Sequence, residues 1–341
     1  MEFQSCDVVL FKKYTFHKSC LDPIAKELMD LGVKAIQTSK RHLVYDAFEE
    51  NNKKKFKIMV IADEWGNLFR DISDILITTG HSMASKNTTL NSKNSIMDYI
   101  FCPSQYYKTK FLERGIVPKK EIVVTGYPAA SRIFRKEFSP ECFWNNFEKE
   151  KIKILIAPTY NRDLSIMDAL IKAETERNLF ERMNEMVTVF KLHPVLFKKY
   201  PEHANFVKSL ADKYENVYYH DDSHDDISDL VLWSDVVIGD CSGALLLAAA
   251  GEVPIFAYDN PNRETSPYYD PDGPEWKFRK GYSYPLNDIN IDTLDKLIRY
   301  SCSKDSLCDQ RKQVVNLLYD HQENAEKVAA RKIADILINS Q

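Results

Sequence analysis

The sequence predicts an α/β fold made of two doubly wound, Rossmann-like domains, and three observations support this. Short apolar runs, of the length of buried parallel strands, alternate with segments of helical periodicity almost throughout. The alternation is interrupted between residues 128 and 150, where the chain is polar, aromatic and charged, and it then resumes. The length of 341 residues also favours two domains, at a prior of about 150 residues each.

The first series of elements predicts a parallel sheet covered by helices. Pro23 suits the first turn of one helix, and Gly32 and Gly115 stand where two helical patterns end. The predicted strands are residues 7–11, 33–38, 56–62, 75–79, 97–102 and 121–125, and the predicted helices are residues 21–31 and 104–114.

The second series repeats the pattern. Its predicted strands are residues 152–157, 187–192, 217–219, 236–238 and 255–258, and its helices are residues 165–181, 196–213, 225–233, 242–250 and 291–300. Residues 310–338 carry an apolar face at helical spacing, as one long helix or two joined helices. The predicted division is a first domain (1–135), a linker (136–150), a second domain (151–305) and a helical segment (306–341) that could return to the first domain.

The charge balance argues against a nucleic-acid partner, because 46 basic and 50 acidic side chains give a net charge of −4. Residues 1–150 hold 23 basic and 19 acidic side chains, whereas residues 151–341 hold 23 and 31. A mildly basic first half could face an anionic acceptor or a membrane surface, and chance composition explains it equally well.

The longest apolar run, residues 244–250, is far shorter than the roughly 20 residues that span a bilayer. No basic segment followed by an apolar run opens the chain, so we expect a cytoplasmic protein, which could rest on the inner face of the plasma membrane. The seven cysteines show no CxxC spacing and are expected to be reduced thiols. The oligomeric state is not indicated.

Several familiar motifs are absent from the sequence. There is no GxGxxG after a predicted strand and no GxxxxGK[ST], which argues against a nicotinamide dehydrogenase or a P-loop enzyme, and no HExxH or Cys/His cluster has the spacing of a zinc site. Polar residues instead follow several predicted strands. Ligands of doubly wound sheets bind at the carboxyl ends of strands, so we expect the active site there, in a cleft between the two domains.

Seven segments in a fixed order carry more information than any one of them. They are Gly80-His81 through Lys86, Thr125-Gly126-Tyr127-Pro128, Ala157-Pro158-Thr159 with Arg162, Lys191-Leu192-His193-Pro194, Ser234 through Gly243, Glu252 through Ile255, and Lys280-Gly281-Tyr282. This ordered set, over residues 75–285, resembles that of the CDP-glycerol glycerophosphotransferases, the family of wall teichoic acid primases and polymerases. The corresponding family patterns include His-Gly-Thr/Ile-x-x-Lys, Ala-Pro-Thr-x-Arg, Lys-x-His-Pro and Asp-Tyr-Ser-Ser.

The sequence departs from those patterns at five positions. Ser82 stands for a glycine, Cys241 for a tyrosine, Gly243 for a serine and Lys280 for an arginine, and Asn161 adds a residue before Arg162. These changes fall in the predicted donor pocket and acceptor turn, so the donor and acceptor stay open.

The resemblance implies a GT-B fold, with an acceptor domain first and a nucleotide-donor domain second. It implies an enzyme that transfers a polyol phosphate, glycerol phosphate or a related one, from a CDP-activated donor to a hydroxyl of a glycan or lipid-linked acceptor. Such transfer serves the synthesis of a surface polymer, teichoic acid or capsule. One alternative is a GT-B glycosyltransferase that uses a nucleotide sugar, and another is a non-catalytic binding protein with a decayed site.

The resemblance also suggests roles for individual residues. His81 is the candidate general base, because imidazole titrates near neutral pH, and His193 is the candidate hydrogen-bond donor to the diphosphate. The predicted donor-binding residues are Pro158, Thr159, Asn161, Arg162, His193, Asp240, Cys241, Ser242, Gly243 and Lys280. The predicted acceptor-side residues are Ser82, Ser85 and Lys86. For each, a purely structural role is the alternative, such as a capped turn at His81 or an N-cap at Ser242.

No cofactor and no tightly bound metal are expected, since cationic side chains could neutralise the diphosphate. The acidic run from Asp221 to Asp226 could hold a cation, but acidic residues also favour helix N-termini, and a helix is predicted to follow. We therefore expect this run to cap that helix.

Overall fold

The computed structural model describes residues 6–63, 65–85, 89–139, 142–147, 150–220 and 227–340. Internal contacts divide the chain into two compact units. The first unit comprises Met1–Met83, Asn87–Ser131 and Asn316–Gln341, and the second comprises Ala84–Lys86 and Arg132–Val315. The boundaries drawn from the sequence were residue 135 for the first domain and residue 306 for the final segment.

The first unit is built on a six-stranded parallel sheet. Its strands are β1 (Val8–Phe11), β2 (Ala35–Thr38), β3 (Phe56–Ile61), β4 (Ser73–Thr78), β5 (Tyr99–Cys102) and β6 (Glu121–Val124). Their order is β2-β1-β3-β4-β5-β6, so the chain changes direction across the sheet between β1 and β3. The carboxyl ends of these two strands therefore form a topological switch point, where ligands of doubly wound sheets bind.

The second unit carries its own six-stranded parallel sheet. Its strands are β7 (Ile152–Ala157), β8 (Met186–Phe190), β9 (Val217–Tyr219), β10 (Val236–Gly239), β11 (Ile255–Tyr258) and β12 (Tyr284–Leu286). Their order, β12-β11-β10-β7-β8-β9, places the switch point between β7 and β10. The predicted fold class, α/β with two doubly wound parallel sheets, is confirmed.

Helices connect the strands in both units. They are α1 (Lys18–Asp30), α2 (Arg41–Glu50), α3 (Gln105–Glu113), α4 (Pro128–Phe134), α5 (Met167–Arg177), α6 (Leu179–Arg182), α7 (Leu196–Lys199), α8 (Pro201–Lys213), α9 (Ile227–Trp233), α10 (Gly243–Ala250), α11 (Pro274–Lys277), α12 (Arg279–Tyr282), α13 (Ile291–Ser303), α14 (Cys308–Leu318) and α15 (Ala325–Ile338). The amphipathic segment 310–338 is therefore two helices.

Among the local expectations that differ from the structure, three concern elements that contain proline. Pro23 lies inside α1, because that helix begins at Lys18, before the predicted start at residue 21. The α4 helix begins at Pro128, within the stretch expected to be irregular. Strand β12 was not predicted, because it is only three residues long and contains Pro285, which cannot donate to a strand ladder.

The core of each unit is formed by the strands and the helix faces that cover them. All four residues of β1, β10 and β11 are buried, as is every residue of α10 from Ala244 to Ala250. Gly126 illustrates how closely the first unit packs. Its φ is +82°, and a Cβ there would lie 2.5 Å from the carbonyl oxygen of Asp320 and 2.6 Å from the Cβ of Ala325.

All seven cysteines are free thiols. Within the described ranges, no helix combines the length and the apolar character needed to cross a membrane.

Candidate active site

His81 follows strand β4 at the switch-point edge of the first sheet. Its Nδ1 lies 3.0 Å from the carbonyl oxygen of Ala62, and its own carbonyl oxygen accepts a hydrogen bond of 2.8 Å from the Tyr127 hydroxyl. A carbonyl oxygen can only accept, so the hydrogen of the neutral imidazole resides on Nδ1. The Nε2 atom therefore carries the lone pair that a general base requires.

The turn before His81 depends on Gly80, which has a φ of +64°. Gly80, His81 and Ser82 line one pocket of the first unit together with Thr89 and Tyr127. The Ser82 carbonyl accepts a hydrogen bond of 3.4 Å from the Thr89 hydroxyl. Ser82 thus lies beside His81 on a pocket wall, where an acceptor-side residue is expected.

Two further polar residues lie next to His81 and were not predicted from the sequence. Asp63 follows β3, with Oδ1 3.9 Å from His81 Nδ1 and Oδ2 3.8 Å from His17 Nε2. His17 ends a short 3-10 turn after β1, and its ring centroid lies 5.3 Å from that of His81. The strand order brings together residues that are 64 positions apart, so no local sequence pattern indicated the cluster.

Burial determines the protonation state of His17. Its side chain is 1% exposed, and desolvation, aided by the nearby His81, lowers its pKa to about 3 despite the neighbouring Asp63. His17 is therefore neutral at physiological pH.

In the second unit, Asp240 organises the edge of the sheet where β7 and β10 end. The side chain is fully buried, and each of its carboxyl oxygens lies 3.0 Å from the Thr159 N–H. It also accepts from the N–H groups of Cys241 at 2.6 Å and Ile166 at 3.1 Å. Asp240 therefore shapes the two loops that flank the switch point.

The next residues lead into helix α10. The Ser242 hydroxyl donates to the carbonyl oxygen of Ala157 at 3.0 Å, and Ser242 makes no side-chain cap hydrogen bond to the helix that begins at Gly243. The Ser242 hydroxyl therefore does not act as an N-cap for this helix. N–H groups at a helix start are suited to anions, and the half-buried Gly243 leaves room for close approach.

His193 follows β8. Its Nδ1 accepts a hydrogen bond, whereas Nδ1 of His81 donates one. The His193 Nδ1 accepts from the Val195 N–H at 3.2 Å, and the His193 ring centroid lies 4.8 Å from that of Tyr160. Because Nδ1 accepts, the hydrogen of the neutral ring is on Nε2. His193 can therefore donate a hydrogen bond through Nε2.

The polar residues of the loop after β7 differ in their exposure to solvent. Pro158, Thr159 and Asn161 are buried, whereas Arg162 is exposed and pairs with Asp168, Nε to Oδ2 at 2.9 Å. Asp168 Oδ1 also lies 3.0 Å from Nε2 of the buried His203. Arg162 is thus engaged by Asp168 at the surface of the second unit.

Arg279 is a functional candidate that sequence reasoning missed, because the resemblance pointed to its neighbour Lys280. Lys280 is exposed, whereas Arg279 is 7% exposed and donates to the carbonyl oxygens of Asp240 and, at 3.0 Å, Tyr258. Its Nε lies 3.0 Å from Asp259 Oδ1 without hydrogen-bond geometry, and Nη1 has no hydrogen-bond partner among the described residues. A buried guanidinium with an unused N–H group stands at the ends of β10 and β11.

The remaining predicted residues are Ser85, Lys86 and the acidic run from Asp221 to Asp226. Ser85 belongs to the second unit, where its hydroxyl lies 2.7 Å from Asp270 Oδ2 and its N–H donates to Glu275 Oε2 at 2.9 Å. Lys86 and the acidic run from Asp221 to Asp226 lie outside the described residues.

Comparison with known proteins identifies the family. A family model described as CDP-Glycerol:Poly(glycerophosphate) glycerophosphotransferase matches residues 33–334. The chain belongs to this family. The resemblance drawn from the ordered motifs is therefore confirmed.

A curated relative supports the same family. The teichoic acid glycerol-phosphate transferase of Staphylococcus aureus is 24% identical over 202 residues, covering 55% of this chain and 48% of the relative. The chain thus spans about half the length of this relative.

Solved structures show the same fold. The wall teichoic acid polymerase TagF, in a variant crystal soaked with CDPG, matches with a TM-score of 0.68 at 14% identity, covering 98% of this chain and 89% of that one. A putative UDP-N-acetylglucosamine 2-epimerase from Listeria monocytogenes matches with a TM-score of 0.61 at 13% identity, covering 98% and 97%. The GT-B fold that the resemblance implied is confirmed.

Proposed function

We propose that this protein transfers a polyol phosphate, glycerol phosphate or a related one, from a CDP-activated donor to a hydroxyl of a surface-polymer acceptor. Family membership supports the reaction class. The observation that carries the mechanism is the opposite hydrogen-bonding state of two histidines, since His81 keeps a lone pair on Nε2 and His193 keeps a hydrogen there. One suits a base and the other suits a donor to phosphate.

In the proposed reaction, His81 Nε2 takes the proton of the acceptor hydroxyl as its oxygen attacks the phosphorus next to the polyol. The phosphoanhydride bond breaks and CMP leaves, so the acceptor gains the polyol phosphate in a new phosphodiester. Phosphoryl transfer of this kind depends on positioning and on stabilising charge at the phosphate oxygens. His193 Nε2–H and the first N–H groups of α10 supply such donors in the second unit.

Other parts of the proposal concern partners. The acceptor is a glycan or lipid-linked chain, and the protein is cytoplasmic, on the inner face of the membrane. Contact with an anionic acceptor or surface would use the excess of basic residues in the first half of the chain.

The donor can be tested by ligand-induced stabilisation. A ligand at 100 times its Kd adds about 2.7 kcal/mol to the free energy of unfolding, which a thermal melt resolves. CDP-glycerol and CDP-ribitol should raise Tm, while UDP and CMP sugars should not. A rise with a UDP sugar alone would favour the glycosyltransferase alternative. If none of these nucleotides raised Tm, the result would favour a binding protein with a decayed site.

Replacing His193 should weaken donor binding and also lower turnover. His193→Ala removes the Nε2–H donor, and a hydrogen bond to a charged group contributes about 1.5–3 kcal/mol, so Kd for the donor should rise about 10–100-fold. His193→Gln keeps an N–H donor and should lose less. Titration calorimetry and turnover measure the two effects, and an unchanged Kd in His193→Ala would contradict the assignment.

The contributions of Arg279 and Lys280 can be separated by a matched pair of variants. Arg279→Lys keeps the charge but loses the planar set of donors, and Kd for the donor should rise about tenfold or more. Lys280→Ala, at an exposed position, should change Kd by less than about twofold. Both are measured below the Tm of each variant, and a larger effect at Lys280 would restore the role first assigned to it.

A further inference from the structure

Three side chains with metal-binding atoms meet at the carboxyl ends of β1, β3 and β4. One ligand atom from each of His17, Asp63 and His81 lies within 4.8 Å of the other two. The Asp63 carboxylate stands between the histidines, at 3.8 Å from His17 Nε2 and 3.9 Å from His81 Nδ1. For zinc bonds of about 2.0–2.2 Å to nitrogen and oxygen, the triangle has to close and the His81 ring has to turn Nδ1 away from the Ala62 carbonyl.

His17 is the second observation that points to a ligand. It is 1% exposed, and neither ring nitrogen has a hydrogen-bond partner among the described residues. A buried polar group without a partner is destabilising, and a ligand bound to this imidazole would remove that penalty. Its Nε2 lies 3.8 Å from Asp63 Oδ2, which is the side of the ring on which a metal held by both groups would bind.

The position of Asp63 is fixed by the sheet. Its carbonyl oxygen accepts a hydrogen bond of 3.1 Å from the Thr78 hydroxyl at the end of β4. His17 is held by ring contacts with Tyr14 at 5.5 Å and Phe16 at 4.9 Å between centroids. His17 and Asp63 are therefore held in place within one unit, whereas His81 must give up its hydrogen bond from Nδ1 to the Ala62 carbonyl before Nδ1 can bind a metal.

We propose that His17, Asp63 and His81 form a site for a divalent transition metal of the Zn²⁺ type, and that the bound metal inhibits the enzyme. Two imidazoles and one carboxylate suit Zn²⁺ or Co²⁺, whereas Mg²⁺ prefers oxygen ligands. This site differs from one where a metal would neutralise the diphosphate. Transfer itself is still expected to need no metal.

Inhibition follows from the tautomer of His81, and this half of the proposal rests on the proposed function. The His81 nitrogen nearest Asp63 is Nδ1, which now donates to the Ala62 carbonyl. A metal on Nδ1 takes its lone pair, so the hydrogen of the neutral ring moves to Nε2. His81 then has no free lone pair and cannot accept the acceptor proton.

Binding is tested first, with the full chain free of any affinity tag. Co²⁺ should bind at one equivalent with visible d–d absorption, and Zn²⁺ should displace it. His17→Phe keeps a ring in the aromatic cluster but removes the ligand, and Asp63→Asn removes the carboxylate. Each should weaken Zn²⁺ binding more than about tenfold, since loss of outer partners alone costs 10–100-fold. His42→Ala, an exposed histidine on α2, should bind as wild type. Wild-type affinity in His17→Phe would overturn the site.

Turnover is then measured with and without Zn²⁺, relative to the metal-free rate of each variant. Wild type should lose activity in step with metal occupancy, recover it with chelator, and be indifferent to Mg²⁺. His17→Phe should need more than about ten times as much Zn²⁺ for the same loss. Bound Zn²⁺ that leaves turnover unchanged, or raises it, would overturn the inhibition. Absence of transfer in the metal-free wild type would contradict the proposed function instead, and the binding data would still decide the site.

Discussion

Replacing His81 with alanine should lower turnover by about 10²–10⁴-fold and leave Kd for the CDP-activated donor nearly unchanged. The reason is the hydrogen bond of 3.0 Å from Nδ1 to the Ala62 carbonyl, which leaves Nε2 as the acceptor of a proton. The donor-binding groups that we propose all lie in the second unit, so the loss should appear in kcat. Steady-state kinetics and a nucleotide titration on the same preparation measure the two quantities.

A control is needed because the His81 ring also packs against Phe16, with centroids 5.1 Å apart. His81→Asn should lose as much activity as the alanine variant while it keeps a polar side chain in the turn. His42→Ala, at an exposed position on α2, should behave as wild type in both measurements. Near wild-type turnover in a folded His81→Ala variant would rule out the base and the mechanism built on it.

The fold could be predicted well from the sequence because buried parallel strands are uninterrupted apolar runs. The strands β1, β3 and β7 each follow this rule, and their predicted ranges agree with the structure to within a residue at each end. The elements that were missed lack such a signal. Strand β12 has three residues, one of them a proline, and α4 has only seven residues.

The candidate site was only partly predictable, for a different reason. His81, His193 and Asp240 come within three residues of a strand end, so their place at the edge of a sheet could be inferred from the chain itself. Asp63 and His17 reach His81 only because β3 lies between β1 and β4, an order that local patterns do not encode. Arg279 and Lys280 are adjacent in sequence, and which of them faces the core depends on the phase of α12, a helix of four residues.

Replacing Asp240 with alanine should destabilise the second unit by at least about 3 kcal/mol. The buried carboxyl accepts from the backbone N–H groups of Thr159, Ile166 and Cys241, and each N–H left without a partner costs about 1–3 kcal/mol. Such a loss is a large part of a typical unfolding free energy of about 5–15 kcal/mol. Asp240→Asn keeps one oxygen and should lose less than the alanine variant.

Urea unfolding followed by tryptophan fluorescence mainly reports on the relevant unit, because three of the four tryptophans, Trp144, Trp233 and Trp276, lie within it. Asp288→Ala is the matched control. Its carboxylate is 74% exposed and lies 3.9 Å from Arg177, so its removal should change the free energy by no more than about 0.5 kcal/mol. If Asp240→Ala were as mild as this control, Asp240 would not be the group that holds the two loops. A large loss of stability would mean that reduced donor binding in Asp240 variants cannot by itself show contact between Asp240 and the nucleotide, since the loops that carry Ser242 and Thr159 would move with it.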